Sequence, residues 1–113
     1  MTPAAIDAYC LTLPAATGEI LWETDRVFKV GGKMFAVLGP SGTLSFKAND
    51  VAFEMLTETG AARPAPYMAR AKWVFFDDPS VLEDKDLQAY LAEAHAIIAA
   101  RLTCKQKAEL GLA

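Results

Sequence analysis

Phe28-Lys29-Val30-Gly31-Gly32-Lys33-Met34-Phe35-Ala36 is two runs of strand-favouring residues around a Gly-Gly pair, the pattern of a β-hairpin. Glycine at both turn positions permits the positive φ that a tight primed turn requires. A two-residue turn sets Val30 opposite Lys33, Lys29 opposite Met34, and Phe28 opposite Phe35. Phe28, Phe35 and Val37 then share one face, which the apolar pattern assigns to the core. Lys29 falls on the opposite, exposed face, Lys33 sits at the tip, and Val27, Met34 and Ala36 form an exposed apolar row.

On either side of the hairpin the chain keeps reading as sheet. Residues 19–22 make a first strand after a loop at 15–18, residues 26–30 a second and 34–38 a third. Beyond the turn cluster Gly39-Pro40-Ser41-Gly42, the segment 43–47 alternates, with Leu44 and Phe46 on one face and Thr43, Ser45 and Lys47 on the other. Such a strand belongs to a sheet covered on one side and open on the other. Residues 73–76, Trp-Val-Phe-Phe, are a strongly β-prone final strand. Residues 61–66 are extended, as their prolines require, and 67–72 are a turn or short helix.

The helices supply the cover. Thr2 caps and Pro3 opens a first helix with Ile6, Tyr9, Cys10 and Leu13 on one face, and Pro14 stops it. A second starts at Asn49 or Asp50 and runs to about Thr59 before Gly60; Val51 or Ala52, Met55 and Leu56 face the core. Asp84 caps the last, along which Leu87, Tyr90, Leu91, Ala94, Ile97, Ile98 and Leu102 recur at three- and four-residue steps. Helices segregated on one face of an antiparallel sheet make this a two-layer α+β protein, a single domain over residues 1–113.

Composition narrows the function. A chain of 113 residues buries roughly two-thirds of its unfolded surface and supports a core without metal or disulfide. Its net charge of −3 counts against a nucleic-acid binder, although a local basic patch acts inside an acidic protein. Cys10 and Cys104 form no CxxC pair, and His95 is the one histidine, so no zinc set is present. Free, mostly buried thiols in a reducing cytoplasm are the expectation. No secretory signal and no apolar run of membrane-spanning length is read.

Several segments together resemble one family. Residues 11–17, Leu-Thr-Leu-Pro-Ala-Ala-Thr, the hairpin 28–36, Ser45-Phe46-Lys47, and residues 64–73 are similar to segments of MmcQ/YjbR-like proteins, in order and spacing; residues 84–91 resemble that family's last helix. The resemblance implies an α-β(3)-α-β(2)-α fold like that of secretion chaperones, and a DNA-binding label built on a proposed "double wing" of strands. The chain departs from the pattern where Ala69 and Lys72 replace the family's common Asn and His, and where Tyr67 replaces a frequent His.

Three functions compete. The first is a non-catalytic DNA-binding module whose open sheet face and basic loop present Lys29, Lys33, Lys47, Arg70 and Lys72 to phosphates. Against it, lysines on an open sheet also solubilise it and guard its edges. The second is a protein-interaction or chaperone-like domain that takes a peptide or a second copy on the exposed apolar row. The third, an enzyme, lacks a nucleophile-base arrangement. His95 reads as a histidine at the edge of the core, and Trp73 as core; Trp22 is either core or contact. Asp77, Asp78, Glu83, Asp84 and Asp86 form an acidic patch that helix capping explains without a metal. No cofactor and no membrane partner is expected.

Overall fold

A computed structural model of the chain describes residues 1–21, 24–66 and 68–112, so Trp22 and Tyr67 lie outside the described residues. Its elements are α1 (Pro3–Thr12), β1 (Ala16–Leu21), β2 (Asp25–Val30), β3 (Lys33–Leu38), β4 (Leu44–Lys47), α2 (Asp50–Glu58), β5 (Arg63–Pro64), β6 (Trp73–Phe76), α3 (Asp84–Ala99) and α4 (Cys104–Glu109). The strands form one antiparallel sheet in the order β1-β2-β3-β4-β6-β5. The two-layer α+β class holds, with a fourth strand before α2 and a further short helix after α3.

The hairpin turns where its glycines allow. Gly31 and Gly32 have φ of +59° and +79°, a region that disfavours side chains. Gly31 has a second reason to be glycine, because a Cβ there would meet the Leu102 side chain at 2.6 Å. Val30 pairs with Lys33 and Lys29 with Met34, but Phe28 then pairs with Ala36 instead of Phe35. Phe35 is the extra residue of a β-bulge. The bulge lets Phe35 and Ala36 both enter the core, and Val27 is fully buried on the opposite face. The expected exposed row of Val27, Met34 and Ala36 therefore does not exist; only Met34 of the three retains partial exposure.

All three long helices contribute to one core. Ile6 and Cys10 come from α1, Ala52 and Leu56 from α2, and Leu87, Leu91, Ala94 and Ile98 from α3. They meet Phe28, Phe46, Val74 and Phe76 of the sheet. Phe46 lies between Phe76 and Tyr90, with ring centroids 5.7 and 6.1 Å away. Burying one such side chain stabilises the fold by about 1.5–3 kcal/mol.

Caps fix the helix starts. The Thr2 hydroxyl accepts the Ala5 amide at 3.1 Å, and the Asn49 side chain accepts that of Ala52 at 2.7 Å. With α2 phased by Ala52 and Leu56, Val51 and Met55 turn to solvent, 76% and 48% exposed, contrary to the expectation for Met55. At α3 the cap position is Glu83, which makes no side-chain cap bond, and Asp84 is already helical. β1 begins at Ala16, so residues 16–18 pair with β2 where a loop was expected. Thr103 and Gln106 close a reciprocal capping box that starts α4.

Candidate functional site

Antiparallel pairing decides where the basic residues go. The Gly31-Gly32 turn, the start of β3, the end of β4 and the start of β6 all lie at one end of the sheet. α3 reaches the same end, since Leu102 packs against Gly31. Lys33, Lys47, Arg70, Lys72 and Arg101 thus gather there, and α4 departs from it carrying Lys105 and Lys107. The other end holds Asp25, at the start of β2, and Asp77, Asp78, Glu83, Asp84 and Asp86 around the end of β6 and the start of α3. The separation is partial, because Asp50 begins α2 at the basic end and Arg26, Arg63 and Lys85 lie at the other, and a net charge of −3 conceals it.

The expected cationic sheet face is not what forms. Lys29 is partly buried and ion-paired with Glu19 across β1 and β2, so its charge is neutralised locally. A row of directly paired residues crosses that face: Glu19, Val27, Val37, Ser45, Phe75 and Arg63. Arg63 lies 4.6 Å above the Phe75 ring and pairs with Asp77 at 3.2 Å. The face is mixed in charge and largely apolar at its centre.

Lys47 departs furthest from expectation, being 6% exposed. Strand alternation reads it as the last exposed residue of β4; Ser45, on the same face of that strand, keeps partial exposure, so the burial of Lys47 belongs to the end of β4, where the chain leading into β6 bonds back on it. Lys47 pairs with Trp73, and the Ala48 amide donates to the Lys72 carbonyl at 3.0 Å. The Lys47 Nζ donates to the carbonyl of its own neighbour, Ala48, at 2.8 Å. Burial is the main force pushing its pKa below the ordinary lysine range; Arg101 and Lys72 add to it, and Asp50 opposes.

The remaining cations differ in freedom. Lys33 is exposed beside the turn and Arg70 is exposed on a 3₁₀ turn spanning Ala69–Ala71. Lys72 has φ of +62°, a region unusual for a side-chain-bearing residue, and its Nζ lies 5.0 Å from the Phe53 ring centre. Among the described residues, none of Lys33, Arg70, Lys72 and Arg101 belongs to an ion pair. Sequence reasoning missed Arg101, Lys105 and Lys107. The helical period places Arg101 at the end of α3, but only the docking of Leu102 on Gly31 brings it near Lys47.

The groups that suggest chemistry are engaged in the fold. His95 is buried, donates from Nε2 to the Pro14 carbonyl at 2.7 Å, and stands edge-on to Phe35 at 5.3 Å. Burial, aided by the negative charge of Asp7, pushes the Cys10 thiol up to about 12, which makes it a poor nucleophile. Trp73 is buried, as read from sequence. Asp78 accepts the amide and hydroxyl of Ser80 at 3.0 and 2.6 Å, and these bonds hold its carboxyl below the usual range. Among the described residues there is no group of three or more His, Cys, Asp or Glu placed to hold a metal, and no helix long and apolar enough to cross a membrane.

A family model for YjbR matches residues 11–97. The fold is similar to the crystal structure of the Deinococcus radiodurans protein DR2400, a DUF419 domain, with a TM-score of 0.86 at 21% sequence identity. That likeness covers 99% of this chain and 89% of the other. No protein of curated function is matched by the chain.

Proposed function

The chain belongs to the YjbR family, and we propose that it is a non-catalytic module that binds nucleic acid by its phosphate backbone, using the basic end of the sheet instead of the open face. One observation carries this reading. Lys33, Arg70, Lys72 and Arg101 converge from three separate parts of the chain on one end, and none is neutralised by a carboxylate there, among the described residues. Phosphate contacts of this kind give affinity without sequence choice and weaken steeply with salt.

The test is a fluorescence titration of a labelled duplex across a series of salt concentrations. Binding at low salt, with log K falling linearly against log salt by a slope of about −2 to −4, supports the reading. No binding at about 50 μM protein in low salt overturns it.

Val51 and Met55, one turn apart and exposed on α2, favour a second reading, in which the protein docks a partner chain or its own copy. A sedimentation mass above the monomer that falls in a Val51→Asp, Met55→Asp double variant supports that reading; monomeric behaviour of the parent protein argues against it.

A further inference from the structure

We propose that Lys47, Lys72 and Arg101 form an anion subsite that receives a phosphate group, with the Lys47 ammonium at its base. This rests on the reading of the basic end as a phosphate-binding surface. It adds a particular pocket of charge within it.

The argument begins with the solvation of Lys47. A buried ammonium ordinarily has a carboxylate partner or several acceptors, because taking it out of water is costly. Among the described residues Lys47 has one acceptor, the carbonyl of the next residue, which it reaches by folding back on its own chain. An ammonium carries three donors, so two are left. Among the described residues no carboxylate lies within ion-pairing distance of it.

The surroundings make the arrangement stranger without a ligand. Lys72 adjoins Lys47 through the pairing of β4 with β6, since Lys47 pairs with Trp73 and the Ala48 amide donates to the Lys72 carbonyl. Leu102, seated against Gly31, brings Arg101 to the same end of the sheet. Three positive groups thus share one end of the sheet, with Asp50, exposed in the first turn of α2, the carboxylate beside them among the described residues. Lys72 is held in place by backbone as well as charge: its carbonyl accepts the Ala48 amide, its φ is +62°, and its ammonium rests over Phe53. A group of like charges gathered at one place is complementary to an anion, whose arrival would turn mutual repulsion into shared attraction. A tetrahedral phosphate presents enough oxygens to meet an ammonium, a second ammonium and a guanidinium together.

Two sources of phosphate share this chemistry, a backbone phosphodiester and a free phosphate ion, and the experiment separates them. Inorganic phosphate is titrated against chloride at constant ionic strength, following the melting temperature and the Lys47 side-chain NMR signals. In parallel, duplex binding is followed across salt. The parent protein is compared with Lys47→Met, with Arg101→Met, and with Lys85→Met at the acidic end. A phosphate-dependent rise in melting temperature, accompanied by a Lys47 signal shift, that is lost in Lys47→Met and in Arg101→Met but kept in Lys85→Met supports the subsite. A salt slope for duplex binding that falls by about one in Arg101→Met and is unchanged in Lys85→Met assigns the phosphate to the nucleic-acid backbone. Duplex binding with no phosphate effect on Lys47, and no change in slope on removing Arg101, overturns the subsite while leaving the proposed function standing. A phosphate effect at Lys47 without duplex binding supports the subsite with free phosphate as its source and sinks the nucleic-acid reading. Arg101→Met keeps the test decisive if Lys47→Met does not fold.

Discussion

The two ends of the sheet handle charge in opposite ways. At the end that holds the starts of β2 and α3, charges are mostly spent on each other: Arg26 meets Asp7 at 2.8 Å, and Arg63 meets Asp77 at 3.2 Å. Asp78, at the surface, accepts the amide and hydroxyl of Ser80. At the hairpin end, none of Lys33, Arg70, Lys72 and Arg101 makes an ion pair among the described residues. Internal pairing serves the fold, whereas cations left together serve it poorly and are available to something outside. Net charge, which averages the two, hides the distinction.

The sharpest way to break this comparison is to reverse one end at a time. Lys33→Glu, Arg70→Glu and Arg101→Glu together should weaken duplex binding by roughly a hundred-fold at low salt, measured by fluorescence titration. Asp78→Lys with Asp86→Lys at the other end should not weaken it. Equal loss from both sets would mean that fold integrity, not the basic end, is being read.

Between the ends runs α1, which ties Asp7 to Arg26 and buries Cys10. The Cys10 thiol is raised from 9.0 to about 12 in the folded protein, so its contribution to stability is complete below pH 9 and is lost as pH climbs from there toward 12. Chemical denaturation should show stability falling by about 1.4 kcal/mol per pH unit above pH 9 from this group, and Cys10→Ala should remove that slope. An unchanged slope in the variant would show that the thiol is not its source.

Lys47 has the opposite sign. Its folded pKa is depressed, so the unfolded chain holds the proton more tightly, and stability rises with pH as the folded state sheds it. Lys47→Met should flatten that rise and, at neutral pH in the absence of phosphate, stabilise the protein by about 1 kcal/mol. Loss of stability instead would make the ammonium part of the scaffold. The smallest effects belong to the ion pairs themselves. A double-mutant cycle on Arg26 and Asp7 should return a coupling of about 1 kcal/mol, and one on the more exposed Lys29 and Glu19 about half that, shrinking in salt.

Much of this architecture could be read from local pattern. The glycine turn, the caps at Thr2 and Asn49, and the stripe of α3 each depend on neighbours in sequence, and each formed as read. What was not legible depends on distant chain. A bulge adds one residue to a strand without disturbing its composition, so Phe35 looked like an ordinary alternate. Lys47 reads as exposed because alternation describes faces and says nothing of what distant chain packs at the end of a strand. Arg101 joined it through packing over the turn. α4 has no buried residue and so no period to detect, yet its start was written in the Thr103-x-x-Gln106 capping pattern, a signal that was present and unused.

The seat of Leu102 against Gly31 also has a kinetic meaning. The hairpin is local and can close on the microsecond scale of such turns, about 1–10 μs. Its apex meets Leu102 across the span of chain that holds β4, α2, β6 and α3, a far longer loop to close. The turn thus forms early and is locked late, and Arg101, the residue beside the lock, takes its place near Lys47 in the same event. Assembly of the cationic cluster then reports completion of folding: a chain arrested with its sheet formed but α3 undocked would carry the hairpin without the charge arrangement.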